Sequence, residues 1–188
     1  MSLLGTILKN RHAGESAMAW NMPNLAADKV FEIFSADFAH EEPLDVVHAS
    51  KRIGGGDISP ALAWAGIPAG TAQLLVVVED PDAPTAVPFV HCVALVDPTV
   101  AELPSGALAS DTSVPGVRIL RSGWGRGYAG PAPIAGHGPH RYVFQIFALT
   151  DPLTLIGGKS PEKAKPRAVL AAARAHARGR IDGFYERL

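Results

Sequence analysis

Five consecutive apolar residues, Leu74-Leu75-Val76-Val77-Val78, run through Glu79 straight into Asp80-Pro81-Asp82-Ala83-Pro84. An apolar run this short, with no alternation, reads as a strand buried on both faces. The two prolines stop it, because they lack the N–H that a β-ladder needs. The same pattern recurs twice: Phe89 to Val96 ends at Asp97-Pro98, and Tyr142 to Leu149 ends at Asp151-Pro152. Shorter strands are predicted at Val30 to Phe34, Arg118 to Ser122 and Ile181 to Leu188. The 19 glycines and 16 prolines suit many turns better than a helical bundle. Helical periodicity is confined to the chain ends. Leu3, Leu4, Ile7 and Leu8 share one face of a short helix. The stretch Ala168 to Arg178 has six alanines and is predicted as a helix closed by Gly179. The expected fold class is mostly β.

A chain of 188 residues fits one domain. The expected division is an N-terminal arm over residues 1–29, whose role the sequence leaves open, and one domain over 30–188. A formal net charge of −1 gives no global basic field, so a nucleic-acid partner is not expected. Charge is nonetheless uneven. Six basic and no acidic residues lie from Lys163 to Arg180. They read as a solvated helix face or, alternatively, as a patch for an acidic partner or membrane surface. Cys92 is the single cysteine, so no internal disulfide forms. With no signal-peptide core and no apolar run long enough to span a bilayer, a cytoplasmic protein without cofactor is expected.

Three features at strand ends carry candidate chemistry. Asp80 and Asp82, two apart in a proline-stiffened turn, cap that turn or enter a pocket. His91 sits in the apolar run Phe89-Val90-His91-Cys92-Val93 and needs a partner for each ring nitrogen if buried. The segment Gly130-Pro131-Ala132-Pro133-Ile134-Ala135-Gly136-His137-Gly138-Pro139-His140-Arg141-Tyr142 is a rigid loop that runs into a strand. His140 and Tyr142 fall on one face of that strand. Together the groups suit a phosphate or carboxylate, which accepts from imidazole N–H, tyrosine O–H and backbone N–H. A facial metal set of two histidines and a carboxylate is a weaker alternative. Strand alternation argues against Cys92 and His91 as a nucleophile–base pair. Trp20, Trp64, Trp124 and Tyr128 are expected in packing, with Trp124 and Tyr128 as alternative pocket walls.

From about Phe34 to Leu188 the sequence resembles the phosphatidylethanolamine-binding proteins, in particular the bacterial branch described as Raf-kinase-inhibitor-like. The resemblance lies in ordered blocks. These are Gly54-Gly55-Gly56-Asp57-Ile58-Ser59-Pro60 with Leu62 and Trp64, Pro68-Ala69-Gly70-Thr71, Asp80-Pro81-Asp82-Ala83-Pro84 and Phe89-Val90-His91. Gly127-Tyr128, Gly130-Pro131-Ala132-Pro133 and Gly138-Pro139-His140-Arg141-Tyr142-Val143-Phe144 follow. It implies a central antiparallel sheet packed on a smaller one, a few peripheral helices, and often a homodimer. It also implies an anion pocket of Asp80, His91, Pro131 and His140, with Tyr142 nearby. Two departures bear on the ligand: Cys92 stands where many relatives carry Trp, and the loop from Ala132 to Ile134 varies.

The expected function is binding of a small anion or phosphorylated head group, without catalysis. The ligand-binding residues are Asp80, Asp82, His91, Gly130, Pro131, His140 and Tyr142. One alternative is a protein-interaction or inhibitor module acting on a kinase or protease. The other is a small-ester or phosphoester hydrolase, with Asp80 and a histidine as base for water.

Overall fold

The computed structural model describes residues 3–188, with side chains from residue 5 onward. The elements in chain order are α1 (Leu3–Leu8), β1 (Lys29–Val30), β2 (Glu32–Phe34), β3 (Glu42–Pro43), β4 (Leu62–Ala65), β5 (Gln73–Asp80) and β6 (Phe89–Val96). They continue with β7 (Glu102–Leu103), β8 (Val117–Ile119), β9 (Arg121–Ser122), β10 (Gly125–Arg126), β11 (His140–Leu149), α2 (Pro166–Ala172) and β12 (Ala175–Tyr185). The main sheet has the order β1-β12-β11-β5-β6-β8, with β3 also paired to β12. Its four long strands pair antiparallel, while β1 and β3 join β12 in parallel. A second sheet, β2-β4-β7, and the small pair β9-β10 complete the mostly-β architecture.

The apolar run on β5 is explained by its central place. Leu74, Val76 and Val78 face a core shared with Ile33, Leu62, Trp64 and Leu103 of the smaller sheet. Leu75 and Val77 face a second core, covered by Ala19 and Leu25 of the N-terminal segment and by Val169 and Leu170 of α2. A strand between two cores has no polar side to show. The N-terminal segment is thus built into the second core, with Met18, Ala19 and Leu25 fully buried. Helix α1 forms where its spacing predicted, but Ile7 is 69% exposed, so that residue does not dock on the body.

The alanine-rich stretch corrects one expectation. The helix covers only Pro166–Ala172, and from Ala175 the chain is strand β12, with Gly179 in its middle opposite Ile146. Alanine's helix preference amounts to tenths of a kcal/mol per residue. The ladder with β11 and the burial of Ala177, Gly179 and Ile181 outweigh it. The predicted final strand therefore begins earlier, at Ala175. The basic segment is not one helix face either. Arg178 stacks on Trp20 at 4.1 Å, and Arg180 is paired with Asp182 at 2.6 Å.

One irregularity positions the site. On β5, Val78 pairs with Cys92 and Glu79 with Val90, leaving His91 as an extra residue on β6. This is a β-bulge, which re-aims the side chains around it. Cys92, Ala94 and Val96 face the first core, while Val90, Val93 and Leu95 face the second. Strict alternation would place His91 with Val93. The bulge turns it instead toward Tyr142 of the first core, ring centroids 5.1 Å apart.

Candidate functional site

Asp80, His91, His140 and Tyr142 come from the adjoining ends of β5, β6 and β11, and all four line one cavity of about 220 Å³. Ala83, Pro84, Phe89, Trp124, Pro133 and Ile134 are among its other walls. The cavity is therefore apolar around a small ionic floor, the usual composition of a small-molecule site. Phe89 stands edge-on to His91 at 4.8 Å and packs against Trp124 at 4.7 Å. Trp124 is half exposed and carries the Arg52 guanidinium over its ring at 4.8 Å. Trp124 thus walls the cavity, whereas Tyr128 is buried away from it and donates to the His48 carbonyl at 3.1 Å.

Asp80 is the centre of the floor. Its Oδ1 accepts from the backbone N–H groups of Asp82 (2.8 Å) and Ala83 (2.9 Å), which close the proline turn. Its Oδ2 accepts from His140 Nδ1 at 2.8 Å and lies 3.9 Å from His91 Nε2. Burial works to raise this carboxyl. The hydrogen bonds and positive charge of His140 and His91 outweigh burial and bring it down to about 2. Asp80 is therefore ionised at neutral pH.

The two pocket histidines are held differently. His91 Nδ1 donates to the Ala129 carbonyl at 2.5 Å, which leaves Nε2 toward Asp80 and the cavity. His140 has both nitrogens engaged by protein: Nδ1 with Asp80, and Nε2 with His137 Nδ1 at 2.7 Å. Tyr142 is 1% exposed; its O–H finds no acceptor among the described residues, while the Ala132 backbone N–H lies toward its oxygen. Burial pushes that phenol well above its ordinary range, so it stays a neutral O–H.

Three residues expected in the pocket stand outside its walls. Asp82 accepts from the Arg141 N–H at 2.8 Å and ties the turn to β11. The Gly130 N–H donates to Asp57 at 2.8 Å, and a side chain at Gly130 would collide with the His48 carbonyl. Pro131 offers its carbonyl to the Ser50 N–H at 2.9 Å. These three position the loops that carry the cavity. The sequence could not separate wall from support, because both lie in the same short motifs.

His137, which local sequence alone does not mark as a site residue, is brought against His140. It sits in the run Gly136-His137-Gly138, in which both glycines take left-handed angles (φ 79° and 108°). Such angles favour glycine, and they turn His137 back onto His140. The bulge also breaks the alternation expected between Cys92 and His91. Cys92 is still no nucleophile, because it is fully buried and burial pushes its thiol up to about 12.

The phosphatidylethanolamine-binding protein family model matches residues 34–186. A UPF0098 protein of Aquifex aeolicus is 37% identical over 132 residues, covering 66% of this chain and 71% of that one. A UPF0098 protein of Pyrococcus abyssi is 32% identical over 165 residues, 85% of each chain. The crystal structure of Escherichia coli YbcL, described as a new member of the mammalian PEBP family, superposes with a TM-score of 0.73 at 32% identity. It covers 83% of this chain and 98% of that one. A homologue from Chlamydia trachomatis shares the fold, with a TM-score of 0.70 at 24% identity over 86% of this chain and 100% of that one. With its cavity at the adjoining strand ends and this match over most of its length, the chain belongs to the phosphatidylethanolamine-binding protein family.

Proposed function

We propose that this protein binds a small anion, phosphate or a phosphorylated head group, over the floor formed by Asp80, His91, His140 and Tyr142, without chemical turnover. The observation that carries this reading is the Tyr142 hydroxyl: buried, without an acceptor among the described residues, and on a residue that lines the cavity. Such a group costs about 1–3 kcal/mol unless something pairs with it. An anion oxygen accepts its proton. His91 supplies the second contact. Its Nδ1–H is fixed by the Ala129 carbonyl, which leaves Nε2 on the Asp80 side to meet the anion. His140, with both nitrogens occupied, acts on the ligand through charge rather than by direct contact. Membership of the Raf-kinase-inhibitor-like branch is part of this reading.

Calorimetric titration with inorganic phosphate and phosphoethanolamine tests it. Both should bind the native chain, and His91→Phe should abolish binding. No binding of either compound by the native chain refutes the reading.

A second reading, docking of an acidic protein segment, is favoured by one surface feature. Arg121, Lys159, Lys163 and Lys165 line two adjoining grooves, one of which shares Thr85 and Phe89 with the cavity. Neighbouring Arg118 is paired with Glu162, whereas these four have no ion pair among the described residues. A poly-aspartate peptide should bind with strong salt dependence, and less tightly to Lys163→Glu/Lys165→Glu. Equal binding to both proteins refutes this reading.

A further inference from the structure

Three hydrogen bonds run in series from the cavity floor to the N-terminal segment. Asp80 Oδ2 meets His140 Nδ1 at 2.8 Å, His140 Nε2 meets His137 Nδ1 at 2.7 Å, and His137 Nε2 meets the Leu8 carbonyl at 2.7 Å. His140, His137 and Asp80 are buried, at 2%, 3% and 4% exposure. The two ends of this series only accept. A carbonyl oxygen has no proton to give, so His137 Nε2 carries a hydrogen. An ionised carboxylate has none either, so His140 Nδ1 carries a second. The middle contact joins two ring nitrogens and needs a third. Two neutral imidazoles hold two such protons, so the pair holds one more and carries one positive charge.

Leu8 belongs to a segment that precedes the family-matched residues 34–186. That segment reaches both walls of the cavity. The N–H groups of Ala13 and Gly14 donate to the carbonyls of Ala83 and Pro81, each at 2.9 Å, on the proline turn. The backbone of Gly5 lies against Ala135 and Gly136 of the loop that carries His137. The other titratable groups facing the pair are His12, whose ring lies 5.2 Å from that of His137, His91 and Tyr142. Asp82 is adjacent through His12, at 3.3 Å.

We propose that His137 is a positioning residue of the anion site and that the N-terminal segment, through the Leu8 carbonyl, holds the His137–His140 pair in a singly charged, proton-sharing state that neutralises Asp80. An anion entering the cavity then meets a balanced ion pair instead of a bare carboxylate. The charge is fixed before the ligand arrives, so no reorganisation opposes binding. The effect on affinity rests on the anion-binding reading above; the protonation state of the pair does not.

The test uses the full chain, with inorganic phosphate as probe and 15N ring spectra of the histidines. In the native protein at pH 7, three ring protons are expected on His137 and His140 together. His137→Phe keeps the bulk but removes both contacts. It should leave His140 neutral and weaken phosphate binding about tenfold, the size of one charge-assisted hydrogen bond. His137→Gln offers a carbonyl toward His140 and an N–H toward Leu8. It should restore binding to within about threefold, since both contacts of the charged ring are remade. Gly5→Val adds a side chain that collides with the Ala135 carbonyl. By displacing the segment it should weaken phosphate binding as His137→Phe does, with the cavity residues untouched. Two ring protons on the native pair would overturn the proposal even if no variant folds. So would His137→Phe or Gly5→Val folding and binding phosphate at native strength. If the native chain binds no phosphate, the anion reading fails, and the ring spectra still decide the state of the pair.

Discussion

Glu79 and Asp80, consecutive on β5, serve opposite faces of the main sheet and are shifted in opposite directions. Burial raises both carboxyls. For Glu79 it prevails over Arg167, Gln145 and the Ala19 N–H, so that carboxyl stays raised. For Asp80 the paired histidines prevail, and the carboxyl falls to about 2. One strand thus delivers a structural acid to the second core and a site acid to the cavity, because successive side chains alternate.

The sign of the Asp80 shift fixes its pH dependence. Its folded value lies below the ordinary 3.8, so its stabilisation is complete above that value and is lost as pH falls toward 2. The shift corresponds to about 2 kcal/mol. In urea titrations, Asp80→Asn should be less stable than the native chain by about that amount at pH 6. The gap should close near pH 2.

Glu79 is fully buried, with Arg167 Nη1 2.8 Å away. The same guanidinium donates to the carbonyls of Ala17 and Pro88, joining the N-terminal segment to the turn before β6. Arg167→Ala leaves a buried charge unpaired and should cost about 3 kcal/mol. Adding Glu79→Gln should return part of that loss, read from urea midpoints of all four proteins in the cycle.

Tyr142→Phe separates binding from folding. The hydroxyl finds no acceptor among the described residues, so its removal should change stability by no more than about 1 kcal/mol. Phosphate affinity should fall about five- to tenfold, the worth of one hydrogen bond to a charged group. Calorimetry and thermal melts of the same sample check both.

Trp124 packs on Phe89 at the cavity wall, one ring removed from His91 of the floor. Trp124→Ala should therefore weaken phosphoesters with an apolar substituent by about 1 kcal/mol, in proportion to the apolar area left uncovered. Inorganic phosphate should bind as before. Parallel titrations with phosphate and a short-chain phosphoester give the comparison.

Cys92 should resist alkylation in the folded protein. Its thiol is fully buried and held up to about 12, so neither access nor thiolate is present at pH 8. Intact-mass measurement after iodoacetamide treatment should show modification only in denaturant.

By itself the sequence determined the mostly-β class and the three long interior strands, because a run such as Leu74 to Val78 can be buried only between two cores. It also placed Asp80, His91, His140 and Tyr142 at strand ends, with Pro81 and Pro84 stopping the ladder after Asp80. Tertiary structure decided what local preference could not. The alanines beyond Ala172 joined a ladder with β11 and became strand, since pairing and burial exceed a helix preference of tenths of a kcal/mol per residue. The bulge at His91 depends on the register of two strands, which no single strand encodes. Wall and support separated only in three dimensions: Gly130, Pro131 and Asp82 hold loops, and Leu8, 129 residues before His137 in the chain, completes the hydrogen-bond series behind the site. A carbonyl leaves no mark in sequence, because every residue has one.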